Sequence, residues 1–334
     1  MTKLTRRHLL AGAATATATS ALLLIAPHSP IYAAAPQIGK QAPGWYRYKV
    51  GDFEITVVTD GSRPTKVPDN FVRNAPRDAW GPGLTAVGMD KESPAFPFTP
   101  FVVNTGSKLI VVDTGYGVAT YEQSKGTLGQ FHANLAASGI DAKAVDNVII
   151  SHFHVDHISG LIGTDNKPMF PNAEIMVPAT EWKYWMDDAN MSSAPEGILR
   201  NTHVNARRVF GALGNKVTQF EAGKEVMPGI TSVATPGHTP GHTSFVVSSG
   251  SASLMAQIDV VAGPALLFVR NPDYQPAFDY DGAQAVQTRH KILDQLATDK
   301  MLTQGFHLPF PSVGYMEKDG NGYRFVPLPW NPTI

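Results

Sequence analysis

Ser151-His152-Phe153-His154-Val155-Asp156-His157 places three imidazoles and a carboxylate within six positions, 152 to 157. The stretch follows the apolar run Val148–Ile150, which reads as a short buried strand, so the cluster sits where a strand leaves its sheet. Neutral imidazole and carboxylate oxygen are donors for a divalent ion of the zinc type, and Mn2+, Fe2+ or Co2+ accept the same set. Extended backbone projects His152 and His154 to the same side. Asp156 and His157 fall where the chain turns, so one strand end can feed two adjacent ions. A lone histidine is usually an ordinary polar residue. Nine histidines follow residue 35, and three of them in these six positions form a ligand cluster.

The chain contains no cysteine, which excludes disulfides, thiolate catalysis and cysteine-type zinc sites. Further donors must therefore be histidine or carboxylate. Thr235-Pro236-Gly237-His238-Thr239-Pro240-Gly241-His242 follows the strand expected at Thr231–Ala234, and its prolines and glycines make a tight loop that can hold a histidine rigidly. His238 is the ligand chosen here, with His242 as the fallback or a supporting group. Asp259 follows the strand expected at Leu254–Gln257, and its two oxygens can bridge two cations. His307 comes late, in Gly305-Phe306-His307-Leu308-Pro309, after an amphipathic helix expected over Gln284–Thr298.

The surrounding pattern alternates strand and helix. Strands are expected at Phe53–Thr59, Pro100–Asn104, Lys108–Asp113, Glu174–Val177 and Ser244–Val247. The second and third of these read as a hairpin through Thr105-Gly106. Helices are expected over 128–142, Thr180–Asp188 and Arg200–Leu213. Residues 61–99, rich in proline, glycine and polar residues, read as a long loop or flap, and Tyr323–Ile334 as an extended tail. This alternation favours an α/β architecture of sheets covered by helices, with no linker that splits residues 36–334.

The order HxHxDH, TPGHTPGH, strand-end Asp and late His resembles the metallo-β-lactamase superfamily across roughly residues 45–330. APGWYRYKVGDFEITVVTDG, FVVNTGSKLIVVDTG, GFHLPFPSVGY and GYRFVPLPW look like its methyl parathion hydrolase-like branch. The resemblance implies an αββα sandwich of two mixed sheets flanked by helices, with the metal site at the sheet edge. It also implies two Zn2+ ions (or Mn2+, Fe2+, Co2+). His152, His154 and His238 would hold one, Asp156, His157 and His307 the other, and Asp259 would bridge. Asp113 of LIVVDTG would orient a ligand from behind, as His242 would. The reaction implied is hydrolysis by a hydroxide shared between the ions, with Asp156 and Asp259 as the catalytic carboxylates. Two departures from the branch stand out. Val155 occupies a place where relatives carry a small residue or proline. Ile258 lacks the glycine that often precedes the bridging aspartate.

Organophosphate triesters, aryl esters or lactones are the expected substrates. An acyl-homoserine lactone lactonase and a β-lactam hydrolase are the alternatives within the same chemistry. A metal-binding or sulfur-processing redox protein of the same fold is the alternative outside it. No GxSxG nucleophile elbow is present, and Gly115-Tyr116-Gly117 is only a fragment of a dinucleotide fingerprint. Aromatic residues near the ions are expected to select a small neutral ester, phosphotriester or lactone: Tyr116, Tyr121, Trp182, Trp185 and Phe268, with Phe96 and Phe98 further out.

Arg6-Arg7 precede an apolar stretch that runs to Ala26, and Ala33-Ala34-Ala35 offers small residues for cleavage. Residues 1–35 therefore read as a twin-arginine-type signal peptide, which predicts a periplasmic or secreted protein. Its removal takes Lys3, Arg6 and Arg7 and leaves 24 basic and 28 acidic residues, a formal net charge of −4. With no basic stripe, nucleic acid is not an expected partner. No later segment is apolar enough for stable membrane insertion, and a homodimer is consistent with the family.

Overall fold

The computed structural model describes residues 37–39 and 41–334. The signal peptide expected at 1–35 lies outside the described residues. Sixteen strands are described: β1 (Trp45–Val50), β2 (Phe53–Val58), β3 (Gly61–Pro64), β4 (Ala95–Phe98), β5 (Phe101–Asn104), β6 (Leu109–Val112), β7 (Asn147–Ile149), β8 (Glu174–Pro178), β9 (Val217–Phe220), β10 (Glu225–Met227), β11 (Ile230–Ala234), β12 (Thr243–Ser249), β13 (Ala252–Ile258), β14 (Leu302–Gly305), β15 (Val313–Asp319) and β16 (Gly322–Pro327). They form two seven-stranded sheets, β1-β2-β5-β6-β7-β8-β9 and β10-β11-β12-β13-β14-β15-β16, with β3 and β4 as a separate ribbon.

Both sheets are mixed, and the parallel pairs lie inside them. β6, β7, β8 and β9 run parallel in the first sheet, and β13 and β14 in the second. Parallel neighbours need long crossovers, and these carry the helices. Phe131–Ala137 joins β6 to β7, Ala179–Trp185 and Ile198–Leu213 join β8 to β9, and Gly282–Asp299 joins β13 to β14.

The side-chain period of two explains why the central strands read as unbroken apolar runs. On β6, Ile110 and Val112 face the second sheet. There they meet Phe245, Val247, Leu254 and Ile258 in a core between the sheets. Val111 points the other way, toward Phe131, Leu135, Val209 and Phe210 of the flanking helices. On the far side, Met255 and Met316 of the second sheet pack against Leu267, Ile292, Leu293 and Leu296. The layers are thus helix, sheet, sheet, helix, the αββα sandwich that the resemblance implies.

Residues 61–99 depart from the expected loop. They hold β3, β4 and a helix at Arg77–Ala86 that tolerates Pro82 inside it. Buried Trp80 and Leu84 anchor that helix, and the guanidinium of Arg77 lies 4.9 Å above the Trp80 ring. Tertiary packing overrides the local composition here. The tail is also more ordered than expected, since β16 pairs antiparallel with β15, from Gly314 opposite Pro327 to Asp319 opposite Gly322. Among the described residues no helix is long and apolar enough to cross a membrane.

Candidate metal centre

Five short segments converge at one edge of the sandwich, and most of them leave the C-terminal ends of central strands. Ser151–His157 follows β7, Asp113 follows β6, Asp259 follows β13, His307 follows β14, and His238 follows β11. Ligand-binding groups in layered α/β folds gather at such strand ends, where loops are free of the ladder and can turn their side chains inward.

The seven expected donors meet there in three overlapping groups, one of which joins His152 to His157 and Asp259. Nε2 of His152 lies 3.1 Å from Nδ1 of His154, which lies 3.0 Å from Nε2 of His238. Asp156, His157 and His307 form the second group, each offering one donor atom within 4.8 Å of the others. Asp259 stands between the groups. Its Oδ2 is 3.2 Å from Nε2 of His238 and 3.0 Å from Nε2 of His307, and its Oδ1 is 3.5 Å from Nε2 of His157.

The donor atoms fit a divalent ion better than they fit each other. His238 uses Nδ1 to donate to Asp279 at 2.8 Å, which leaves its Nε2 lone pair aimed at the two other imidazoles. Nδ1 of His152 faces the Ser151 hydroxyl at 3.0 Å, so its Nε2 is likewise free. Lone pairs converging at about 3 Å call for a cation among them. In the other half, Nε2 of His157 and Oδ1 of Asp259 are both buried and have no hydrogen-bond partner. A group left orphaned in this way costs roughly 1–3 kcal/mol, and two facing each other across 3.5 Å mark a place for an ion.

Each donor is braced from behind. Asp113 accepts from Nδ1 of His157 at 2.8 Å, from the Ser151 hydroxyl at 2.7 Å and from the Ser151 backbone N–H at 2.9 Å. His307 donates from Nδ1 to the Pro97 carbonyl at 2.8 Å. His242 stays outside the donor set. Its Nε2 accepts the Asp259 backbone N–H at 3.2 Å and its Nδ1 meets the Thr235 hydroxyl at 2.8 Å, so it positions the bridging residue. Burial above all pushes His242 down to about 3, in keeping with a neutral acceptor. Burial lowers His152 and His154 well below the usual histidine range. At His157 burial is outweighed by the Asp259, Asp113 and Asp156 carboxylates, which hold it well above that range, a field that attracts positive charge.

Four supporting residues escaped the sequence reading. Asp279 carries His238 and is itself held by Arg289, a fully buried guanidinium 3.2 Å away. Arg289 also donates to the carbonyls of Val260, Pro272 and Tyr274, which ties the strand end bearing Asp259 to the helix Gly282–Asp299. Asp60, buried at the end of β2, accepts the backbone N–H groups of Tyr116, Gly129 and Phe131 and shapes the loop after Asp113. Burial pushes its carboxyl up to about 7 against those donors. Glu181 is the fourth, buried between the two histidine loops. Each acts through contacts between distant segments, and only Asp60, in the turn sequence Thr59-Asp60-Gly61, carried any local signal.

A cavity of about 490 Å³ opens onto the donors. Phe96, Phe98, Tyr116 and Phe278 form an aromatic wall, and Val155, Ile198 and Asn201 face it. Tyr116 therefore lies where it was expected, and so do Phe96 and Phe98. The other aromatic expectations do not reach the cavity. Trp185 is fully buried and donates to Glu181, Trp182 packs on Phe153 and Phe210, Phe268 packs on Phe71 and Phe278, and Tyr121 points to solvent. The flanking helices turn the Trp182, Trp185 and Phe268 rings into the core, while Tyr121 faces outward. Val155 stands exposed on the rim, so its branched side chain narrows the mouth and leaves the donors undisturbed.

Residues 99–300 match the family model described as the metallo-beta-lactamase superfamily, a span that holds six of the seven donors and stops short of His307. Among curated proteins, the N-acyl homoserine lactonase of Bacillus thuringiensis is 31% identical over 113 residues, 34% of this chain and 37% of that protein. The N-acyl homoserine lactonase AttM of Agrobacterium fabrum is 30% identical over 132 residues, 37% of this chain and 44% of that protein. The matched region thus spans less than half the length of these relatives. Solved structures agree over more of the chain. AidC, a dizinc quorum-quenching lactonase, has a TM-score of 0.77 at 26% identity, covering 86% of this chain and 98% of AidC. The hydrolase AbOPH of the beta lactamase superfamily has a TM-score of 0.78 at 26% identity, covering 87% of this chain and all of its own. On this match, and on a layered fold that brings the motif residues to one edge, the chain belongs to the metallo-β-lactamase superfamily.

Proposed function

We propose that this protein is a metal-dependent hydrolase that holds two divalent ions, zinc by preference, and opens lactones or cleaves small neutral esters. The observation that carries the proposal is the seven-donor centre facing a cavity with a wall of Phe96, Phe98, Tyr116 and Phe278, beside polar Arg63, Asn201 and Asn205. His152, His154 and His238 would hold one ion, Asp156, His157 and His307 the other, and Asp259 both. When bound, such a pair supplies Lewis acidity and water acidified toward neutral pH.

The chain's own residues do the rest. Phe96, Phe98 and Phe278 exclude water and hold an apolar acyl or aryl group. Tyr116 lines the cavity and stacks edge-on against Phe98 at 4.9 Å. Burial, reinforced by Asp156, holds that phenol well above its usual range, so it stays a neutral donor for the oxygen that gains charge as the ester opens. Asp156 also lines the cavity, where it can hold the proton released from water and return it to the departing alkoxide.

Lactones rank first because AidC and the curated relatives are lactonases and AidC shares the fold over most of this chain. Phosphotriesters, the chemistry of the methyl parathion hydrolase-like branch, rank second, since an apolar cavity also suits an uncharged triester. The test is a side-by-side assay of an acyl-homoserine lactone, a nitrophenyl ester, a nitrophenyl phosphotriester and a chromogenic β-lactam. The expected outcome is the highest kcat/KM on the lactone. Turnover of the phosphotriester with none of the lactone would sink the lactone reading. Export by residues 1–35 belongs to the same proposal, resting on Arg6-Arg7 and the apolar stretch behind them, and cell fractionation checks it.

A further inference from the structure

Glu181 is fully buried on the helix Ala179–Trp185, which follows β8 in the first sheet, and no cation pairs with it among the described residues. Its two oxygens reach three hydrogen-bond donors, with the Thr239 hydroxyl beside them. Oε2 accepts the backbone N–H of Phe153 at 3.0 Å and the indole N–H of Trp185 at 2.7 Å. Oε1 accepts the backbone N–H of Gly241 at 2.6 Å.

The two backbone partners are informative by position. Phe153 lies between His152 and His154, and Gly241 lies between His238 and His242. One carboxylate thus joins the histidine loop of the first sheet to that of the second. The approach is close. A Cβ at Gly241 would lie 2.6 Å from the backbone nitrogen of Glu181 and 2.8 Å from Cβ of Thr180, so only glycine lets the second loop dock there. A buried charge fixed by N–H donors on two separate loops is expensive to form and rigid once formed.

We infer that Glu181 is a positioning residue for the three-histidine half of the centre: it sets the spacing between the His152/His154 loop and the His238 loop, and through that spacing the affinity of this half for its ion. The inference rests on the two-ion reading above. It reaches beyond the donors themselves, because Glu181 touches none of them and does not face the cavity.

Glu181→Gln keeps the size of the side chain and removes the tie. The amide oxygen can serve Phe153 and Trp185, or it can serve Gly241. Either way the NH2 group confronts a backbone N–H that has lost its acceptor. Zinc affinity is measured by chelator competition in two backgrounds, His307→Ala, which leaves the three-histidine half, and His154→Ala, which leaves the other. Glu181→Gln should weaken the remaining ion by roughly 10- to 100-fold in the first background, the range for supporting groups around metal ligands. In the second it should change affinity less than about threefold, a margin well below that range. Trp185→Phe, which spares both loop ties, should leave affinity unchanged in both backgrounds even if the protein melts earlier. Should Glu181→Gln fail to fold, Glu181→Asp, too short to span both loops, is read the same way. Equal losses in the two backgrounds, no loss in either, or the same loss from Trp185→Phe would overturn the assignment. A parent protein that binds no zinc pair would instead remove the two-ion reading on which it stands.

Discussion

Ile258 has a φ of 55°, a left-handed conformation that β-branched residues rarely adopt, and it sits directly before the bridging Asp259. Holding a branched residue in that conformation costs about 1–3 kcal/mol. The buried Ile258 side chain, packed between the sheets in the cluster that includes Phe245 and Phe306, offsets that cost. Asp113, at the matching strand end of the first sheet, also has a positive φ of 59°. Both strand ends are bent sharply to turn a carboxylate toward the centre. The bend predicts an inverted ranking of small residues at 258. Ile258→Gly and Ile258→Ala both lose the core side chain, but only glycine releases the backbone. The glycine variant should therefore be the more stable of the two by about 1 kcal/mol in denaturant titrations, against the usual order in which alanine is favoured. An alanine variant as stable as the glycine one would show that the backbone there is relaxed.

At the scale of elements, the donors are presented by loops that other elements hold in place. The His238 loop is the clearest case. Tyr280 and Asp281 donate backbone N–H groups to the carbonyls of His238 and Gly237, and the side chain of Asp281 accepts the Gln284 N–H at the start of the helix Gly282–Asp299. Gly237 has a φ of 126°, and a Cβ there would lie 2.3 Å from the backbone nitrogen of Ala285. Gly237→Ala should push the loop off that helix, cost at least about 2 kcal/mol, and lower metal content and turnover together. Unchanged melting and metal content would mean the loop has slack that the packing does not suggest. The elements also explain what the sequence could and could not convey. The seven donors were legible because four are nearly contiguous and three sit in short motifs after apolar runs. The central strands were legible from their unbroken apolar stretches. β3, β4 and the helix Arg77–Ala86 were hidden because Trp80 and Leu84 act against a proline-rich local composition. Asp279, Arg289 and Glu181 were hidden because their roles arise only when distant segments pack, and the mistaken pocket aromatics have the same origin.

The sheets share one apolar core, and charge is gathered at a single edge, where buried Asp113, Asp259, Asp279, Glu181 and Arg289 surround the histidines. That concentration of buried polar groups would be a heavy burden in a protein of this size without cations to bind them together. The arrangement is intelligible as a support built around two ions, with Asp259 standing between the two halves. Metal counted per chain on the purified protein, beside Asp259→Ala, tests this most directly. The account predicts close to two divalent ions in the parent chain, and in Asp259→Ala the loss of at least one ion with nearly all hydrolytic turnover. An Asp259→Ala protein that kept both ions and its full rate would contradict it.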